Sequence, residues 1–265
     1  MLRVRKGKGY RQSFERIHAI MKHRIALYVS AITGMTLAAT LSFAALLGVN
    51  VRYPLVSHQN TGTNAVTYVT YTSVNYLFSV TSPPSSVQFS SSETPRPITG
   101  TKSLTINILV DNAGNLIGGV PANGGNDFTL SGTVTRGTNT YSGVLLTGTV
   151  TAFGFYGSGA SSQYDLRFTA TGGALFGFFS CGDIGVTVAS PLSTFTGSFS
   201  TNFHGSSKGV VGLEDLTPPV VTCPSNITVE CNTNNLSQRG AYVAFPNPVG
   251  TDNCDTNLTF VYTPP

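Results

Sequence analysis

The chain has 265 residues, of which 10% are charged, with 29 Gly, 16 Phe, 11 Tyr and no Trp, a composition unlike either a disordered acidic tail or a helical cytosolic enzyme. Eight of its 15 basic residues (Arg3, Arg5, Lys6, Lys8, Arg11, Arg16, Lys22 and Arg24) precede residue 25, opposed there only by Glu15. From Arg52 onward seven Lys/Arg face ten Asp/Glu, so the formal charge of +4 conceals a body near −3, which excludes a basic nucleic-acid surface there.

Residues 1–54 have the grammar of an export segment. Ile25 to Val51 contains no charged residue, is apolar with small interruptions (Ser30, Thr33, Thr36, Thr40, Ser42), and directly follows the basic block; this order directs chains out of the cytoplasm. Met21-Lys22-His23-Arg24 followed by Ile25-Ala26-Leu27 forms a signal start by itself, so residues 1–20 are expected to be an upstream extension or a mis-assigned start. Cleavage after Ser42-Phe43-Ala44 suits the small-residue rule, while the charge-free stretch is also long enough to be retained as a helical anchor. Either outcome places residue 55 onward outside, with membrane contact only through this segment if it stays uncleaved.

Residues 55–213 form a Gly/Ser/Thr-rich region that alternates. Val66, Tyr68, Val74, Tyr76, Phe78 and Val80 share one parity, and Leu104, Ile106, Ile108 and Val110 share another against Ser103, Thr105 and Asn107, the period-2 mark of a half-buried strand. The pattern recurs at Phe128/Leu130/Val134, Val144/Leu146/Val150, Leu166/Phe168/Ala170, Ile184/Val186/Val188 and Phe195/Phe199/Phe203, predicting seven strands. Turn clusters separate them at Pro83–Ser86, Asp111–Asn115, Asn123–Asp127, Arg136–Asn139 and Gly157–Gly159. The expected fold is all-β, an antiparallel sandwich or barrel-like domain. Three similar stretches, Leu130–Thr135, Leu146–Thr151 and Phe195–Ser200, put Gly132, Gly148 and Gly197 at inward parity, where a strand glycine makes room for a bulky neighbour.

Candidate chemistry in this region is sparse. His58, in an expected linker, and His204, near a strand end, lack a Gly-x-Ser-x-Gly elbow. Asp111, Asp127, Asp165 and Asp183 are the carboxylates that could serve glycoside hydrolysis, but the first two fall in turn clusters. Neither of the turns 111–115 and 123–127 has the spacing of a calcium loop, and the cysteines lack the close pairing of a zinc site. Tyr68, Tyr71, Tyr76, Tyr141 and Tyr164 could offer faces to sugars, yet several share the core parity. No catalytic residue, cofactor or metal site is assigned.

At Asp215-Leu216-Thr217-Pro218-Pro219 the composition shifts, and the prolines mark a connector into a segment at 214–265. Ile227 and Val229 alternate there, as do Leu258, Phe260 and Tyr262, predicting strands. The sequons at Asn226, Asn235 and Asn257 are of a kind that a bacterial host leaves bare. Asp215-x-Thr-Pro-Pro219, Cys223-Pro-Ser-Asn-Ile-Thr-Val229 and Asp252-Asn-Cys254 occur in an order and spacing that resembles the hyalin-repeat (HYR) family. That resemblance, over about 215–265, implies an Ig-like β-sandwich module of extracellular and adhesion proteins, without enzymatic activity. Family members continue through further strands, so the module is expected to be truncated, and either poorly stable or part of a longer protein. Cys223 with Cys254 is the leading disulfide, leaving Cys231 over unless Cys181 or a residue beyond the chain completes the set. The sequence thus points to a secreted or cell-surface protein with a structural or adhesion role, contacting extracellular protein or polysaccharide surfaces. The alternative is a carbohydrate- or ligand-binding module of a larger extracellular enzyme.

Overall fold

A computed structural model describes residues 45–72, 75–120, 126–228, 246–255 and 257–261. Most of the export segment, Val74, Cys231, Asn235 and the core of the Asn123–Asp127 turn lie outside the described residues. Among the described residues the architecture is all-β and antiparallel, and no helix is long and apolar enough to cross a membrane.

The strands are β1 (Arg52–Asn60), β2 (Val66–Thr70), β3 (Tyr76–Ser82), β4 (Pro84–Gln88), β5 (Arg96–Pro97), β6 (Thr99–Val110), β7 (Leu116–Gly119), β8 (Phe128–Arg136), β9 (Asn139–Tyr156), β10 (Ser162–Gly172), β11 (Asp183–Ser190), β12 (Phe203–Gly205) and β13 (Ser207–Glu214), followed by β14 (Val220–Thr222) and β15 (Val249–Thr251). The first thirteen form one sheet in the order β12-β2-β3-β6-β8-β9-β10-β11-β13-β1-β4-β5, with β7 on β6. This order returns on itself, because β1/β2, β3/β4, β5/β6, β7/β8 and β12/β13 are each two halves of one interrupted strand. Counted as staves, the thirteen strands make eight, each antiparallel to the next in sequence. The last stave closes on the first through Arg52↔Leu213 to Asn60↔Ser207 and Val66↔Gly205 to Tyr68↔Phe203. The fold is an eight-stave up-and-down barrel, which has no free sheet edge along its circuit.

Each interruption is repaired by specific hydrogen bonds, as buried backbone groups require. Between β1 and β2, the Asn60 carboxamide donates to the Thr81 carbonyl (2.9 Å) and accepts from the Gly62 amide. Between β7 and β8, buried Asp127 accepts from the amides of Val120 and Val150 (both 3.0 Å). The expected turn at Pro83–Ser86 is instead the join of β3 and β4. The Pro83 carbonyl accepts from the Gln59 amide and the Ser85 carbonyl from the Ile98 amide, so the prolines kink a stave without ending it.

Alternation puts one continuous apolar cluster inside, from Val56 and Tyr68 on the first stave to Val211 and Leu213 on the last. Glycine makes the predicted room in two places: a methyl at Gly148 would stand 3.0 Å from Ile184 Cδ1 and from Phe168 Cβ, and one at Gly132 would collide with Ile98. Gly197 differs, lying in a loop at φ +90 with its nearest neighbour 3.8 Å from a methyl placed there. Phe195 and Phe199 are likewise not strand residues. They belong to the loop between β11 and β12, which turns inward and stoppers one mouth of the barrel. Phe199 is 1% exposed and its ring lies 4.6 Å from Phe155, 4.8 Å from Tyr68 and 5.0 Å from Phe195. The parity was shared with Phe203, but the spacing of four residues served a plug and not a ladder. At the opposite mouth the loop between β10 and β11 inserts buried Leu175 and Phe179. Beside them Arg136 lies over the rings of Phe89 (4.7 Å) and Phe178 (5.6 Å) and pairs with Glu93. Val144 faces out at 47% exposure, contrary to its parity, because the register shifts between Leu130 and Ser131 and puts Leu145 and Leu146 both inside.

In the C-terminal segment β14 pairs only with β15 among the described strands. Ile227, Thr228 and Leu258 to Val261 carry no strand; alternation over so few residues names a face without supplying a ladder partner. The disulfide is Cys181–Cys254, not Cys223–Cys254, and Cys223 is an exposed free thiol. The Asp252 carboxylate holds the amides of Cys254 (2.8 Å) and Asp255 (2.7 Å) in a tight turn. Asn253 then reaches the Cys181 carbonyl and Asp255 the Arg52 guanidinium (2.7 Å), which sets Cys254 against the loop of the barrel mouth.

Replacing Phe199 with alanine is expected to cost about 3–5 kcal/mol in urea unfolding while far-UV circular dichroism stays β-rich; a loss below about 1 kcal/mol would show that the plug is not packed into the mouth.

Candidate functional site

The barrel has two polar features, one outside and one inside. Outside, outward residues of adjacent strands align in rows: Thr81↔Thr105↔Thr129↔Thr147 runs across β3, β6, β8 and β9, beside Ser79↔Asn107 and Ser103↔Ser131. The Thr171 hydroxyl extends the first row by donating to Thr147 Oγ1 (2.8 Å). This wall presents hydroxyls where a lipid-facing barrel presents an apolar band. Elsewhere on the barrel Tyr71 (45%) and Tyr156 (61%) are exposed.

Another part of the outer wall is covered by the chain itself. Residues 45–51 cross the outside of β9, β10, β11 and β13, where methyls at Gly154, Gly185 and Gly212 would meet Ala45, Val49 and Val51. Asp165 accepts from the amides of Gly48 (3.1 Å) and Val49 (3.4 Å) and anchors this strap. Desolvation under the strap raises the Asp165 pKa against the pull of these amides. Two residues along, Arg167 pairs with buried Glu214 through both carboxylate oxygens (2.8 and 2.9 Å).

Inside, a polar belt crosses five neighbouring staves: Ser162 on β10, Ser190 on β11, Ser207 on β13, His58 on β1 and Ser82 on β3, each at most 2% exposed. His58 is therefore not in a linker but in a strand, its side chain pointing into the barrel. Its Nδ1 lies 3.1 Å from Ser82 Oγ and 3.4 Å from Ser207 Oγ, and Nε2 faces the Gly209 backbone without a hydrogen-bond partner. Burial holds its pKa down at about 4, only partly offset by the Thr187 carbonyl. A buried His beside serines is legible as a base and nucleophile, but enclosure on all sides makes this one a neutral packing group.

The other candidates are dispersed. Asp111 closes its own turn by accepting from the amides of Ala113 (2.9 Å) and Asn115 (2.7 Å). Burial opposes its ionisation, yet these bonds and the Asn115 side chain hold its pKa below the usual value. Asp127 repairs a stave as above, and Asp183 accepts from the Thr169 hydroxyl (3.2 Å). All four carboxylates thus serve backbone or strand neighbours. His204 is exposed, with Nδ1 3.1 Å from the Thr63 carbonyl. Tyr68 and Tyr164 are fully buried and stack in the plug with Phe203, and Tyr76 and Tyr141 pack on the core, leaving Tyr71 of the five at the surface. Asn226 lies in an open depression with Cys223, Ile227, Pro246 and Pro248. Asp215, Asp252 and Asp255 gather within reach of one another, a group missed in sequence because they are far apart in the chain. Arg52 already pairs with two of the three, 3.6 Å from Asp215 and 2.7 Å from Asp255.

No protein-family model, curated protein or solved structure matches the chain.

Two outcomes follow. Below pH 6.5 the unfolded chain protonates His58 while the folded barrel resists down to about 4, so His58 contributes stability that is complete above pH 6.5 and is lost as pH falls toward 4, roughly 3 kcal/mol in all. Asp165, with its raised pKa, works in the opposite sense, so the quantity to measure is the urea-unfolding difference between wild type and His58→Gln at pH 7 and pH 4.5; equal differences at the two values would contradict the assignment. Second, non-reducing peptide mapping is expected to recover Cys181 joined to Cys254. Their separation of 73 residues makes Cys254→Ser cost about 4 kcal/mol on the chain-entropy estimate.

Proposed function

We propose that the chain is an exported structural or adhesion protein acting at the cell surface or outside the cell, and that it makes its contacts through the outside of the barrel. The observation that carries this reading is the filled interior: Phe195 and Phe199 at one mouth and Leu175 and Phe179 at the other are all at most 1% exposed. A barrel packed in this way is a rigid body for display and not a cup for a small ligand. The disulfide between Cys181 and Cys254 supports an oxidising compartment, as does the basic-then-apolar leader. The HYR-like C-terminal motifs support an adhesion role, with non-enzymatic modules joined in series. A second reading, a carbohydrate-binding module of a larger extracellular enzyme, is favoured by the outward hydroxyl rows and by the exposed rings of Tyr71 and Tyr156, since sugars are held by hydrogen bonds and aromatic faces.

Fractionation of cells expressing the full chain, with a glycan array on the purified protein, tests both. Recovery outside the cytoplasm with Cys181 and Cys254 oxidised is expected. Saturable oligosaccharide binding lost in Tyr156→Ala would select the second reading, and cytosolic recovery with reduced cysteines would overturn both.

A further inference from the structure

Two buried hydroxyls where the plug meets the barrel wall lack a hydrogen-bond partner: Tyr164 Oη and Ser190 Oγ, on residues that are both fully buried. Each orphaned hydroxyl in such a place costs on the order of 1–3 kcal/mol, so two together require an account.

They belong to one cluster. Ser162 and Ser190 are direct partners across β10 and β11, and Tyr164 follows Ser162 on the same inward face. Gly205, on the closing stave, has both Ser190 and Ser193 against the position of its missing methyl, with Ser193 Cβ 3.1 Å from that point. The hydroxyls of Ser193 and Ser162 act on the Tyr164 phenol and moderate the rise in pKa that burial gives it, without meeting the geometry of a direct bond. The remaining hydrogen-bond capacity is complementary. Ser162 Oγ donates to the Gly159 carbonyl (2.7 Å) and keeps its lone pairs. Ser193 Oγ accepts from the Phe195 amide (3.1 Å) and keeps its proton. A phenol that needs an acceptor, a serine that needs either partner, a spare donor and a spare acceptor are what a buried water takes, since such waters make about three hydrogen bonds.

We infer that one ordered water molecule occupies this cluster, bridging Tyr164 Oη and Ser190 Oγ and completing its bonds on Ser162 and Ser193. It thereby fastens the Phe195/Phe199 plug to the wall, since Ser193 leads directly into that loop. Apolar stacking sets how deep the plug sits, and the water-bridged hydroxyls set its register.

A crystal structure of the full chain at a resolution that orders internal solvent is expected to show a density peak at about 2.7–3.2 Å from both Tyr164 Oη and Ser190 Oγ. Tyr164→Phe and Ser190→Ala are each expected to lower Tm by about 2–4 °C. The double variant should fall little further than the worse single, because both remove the same bridge. An empty position in well-ordered density overturns the inference. So does a rise in Tm in either single variant, which is the effect of deleting an unsatisfied buried hydroxyl. If a variant does not fold, the wild-type density decides alone.

Discussion

The pairing of the first stave with the last is the constraint on which the rest depends. Arg52–Asn60 finds Ser207–Leu213 across nearly the whole described chain, and only this contact turns a meander into a tube. Closure gives every stave of the barrel a neighbour on each side, so no free edge remains along its circuit. It also converts the period-2 alternation into an inside and an outside. Closing so distant a pair carries a large loop-closure cost before any reward, which places the fold among slow, high-contact-order topologies. The interruptions in the staves follow from the same demand. Straight strands of this length would not curve into so small a tube, and each kink, at Pro83, at Ser206 or beside Asp127, bends a stave while a side chain or carbonyl satisfies the opened ladder.

Much of the wall was legible because alternation is a local property. Leu104/Ile106/Ile108 and Ile184/Val186/Val188 name their inward faces without any knowledge of partners, and both sets are buried. What was not legible was decided by partners far away in sequence. Leu145 enters the core because β8 and β9 slip by one residue, and nothing around Val144 announces that slip. Pro83-Pro84 resembles a turn, since proline cannot donate to a ladder, yet here the neighbouring stave needs only its carbonyl. Strand β13, Ser-Lys-Gly-Val-Val-Gly-Leu-Glu, alternates too poorly to be noticed. Its glycines face Thr187, Leu55 and the strap, close approaches that only tertiary structure creates. His58 was misplaced for a related reason: polar neighbours on both sides read as a linker, whereas Ser57 and Gln59 are simply the wet face of its strand.

Inside and outside use the same small polar residues for different ends. On the outer wall Thr and Ser satisfy the β-branched or compact preference of a strand while keeping that surface polar. Inside, the serines of β10, β11, β13 and β3 admit a histidine and a tyrosine hydroxyl into an otherwise apolar volume. Such a belt is weaker than a hydrocarbon core of equal size, since each hydroxyl must find a partner. Its compensation is specificity. Aromatic rings at 4.6–6.4 Å with mixed tilts could repack in several ways, whereas directional bonds between neighbouring staves accept one register.

The described residues of the C-terminal segment are held to the barrel by few but specific ties. Two three-residue strands bury almost nothing, and Val220, Val221 and Val249 are each more than half exposed. Covalent and ionic ties to the barrel do the work instead: Cys254 to Cys181, Asn253 to the same residue's carbonyl, and Asp215 and Asp255 to Arg52. Exposed ion pairs contribute little individually, so the disulfide carries most of the attachment, and the loop it closes also encloses β11, β12 and β13 of the barrel.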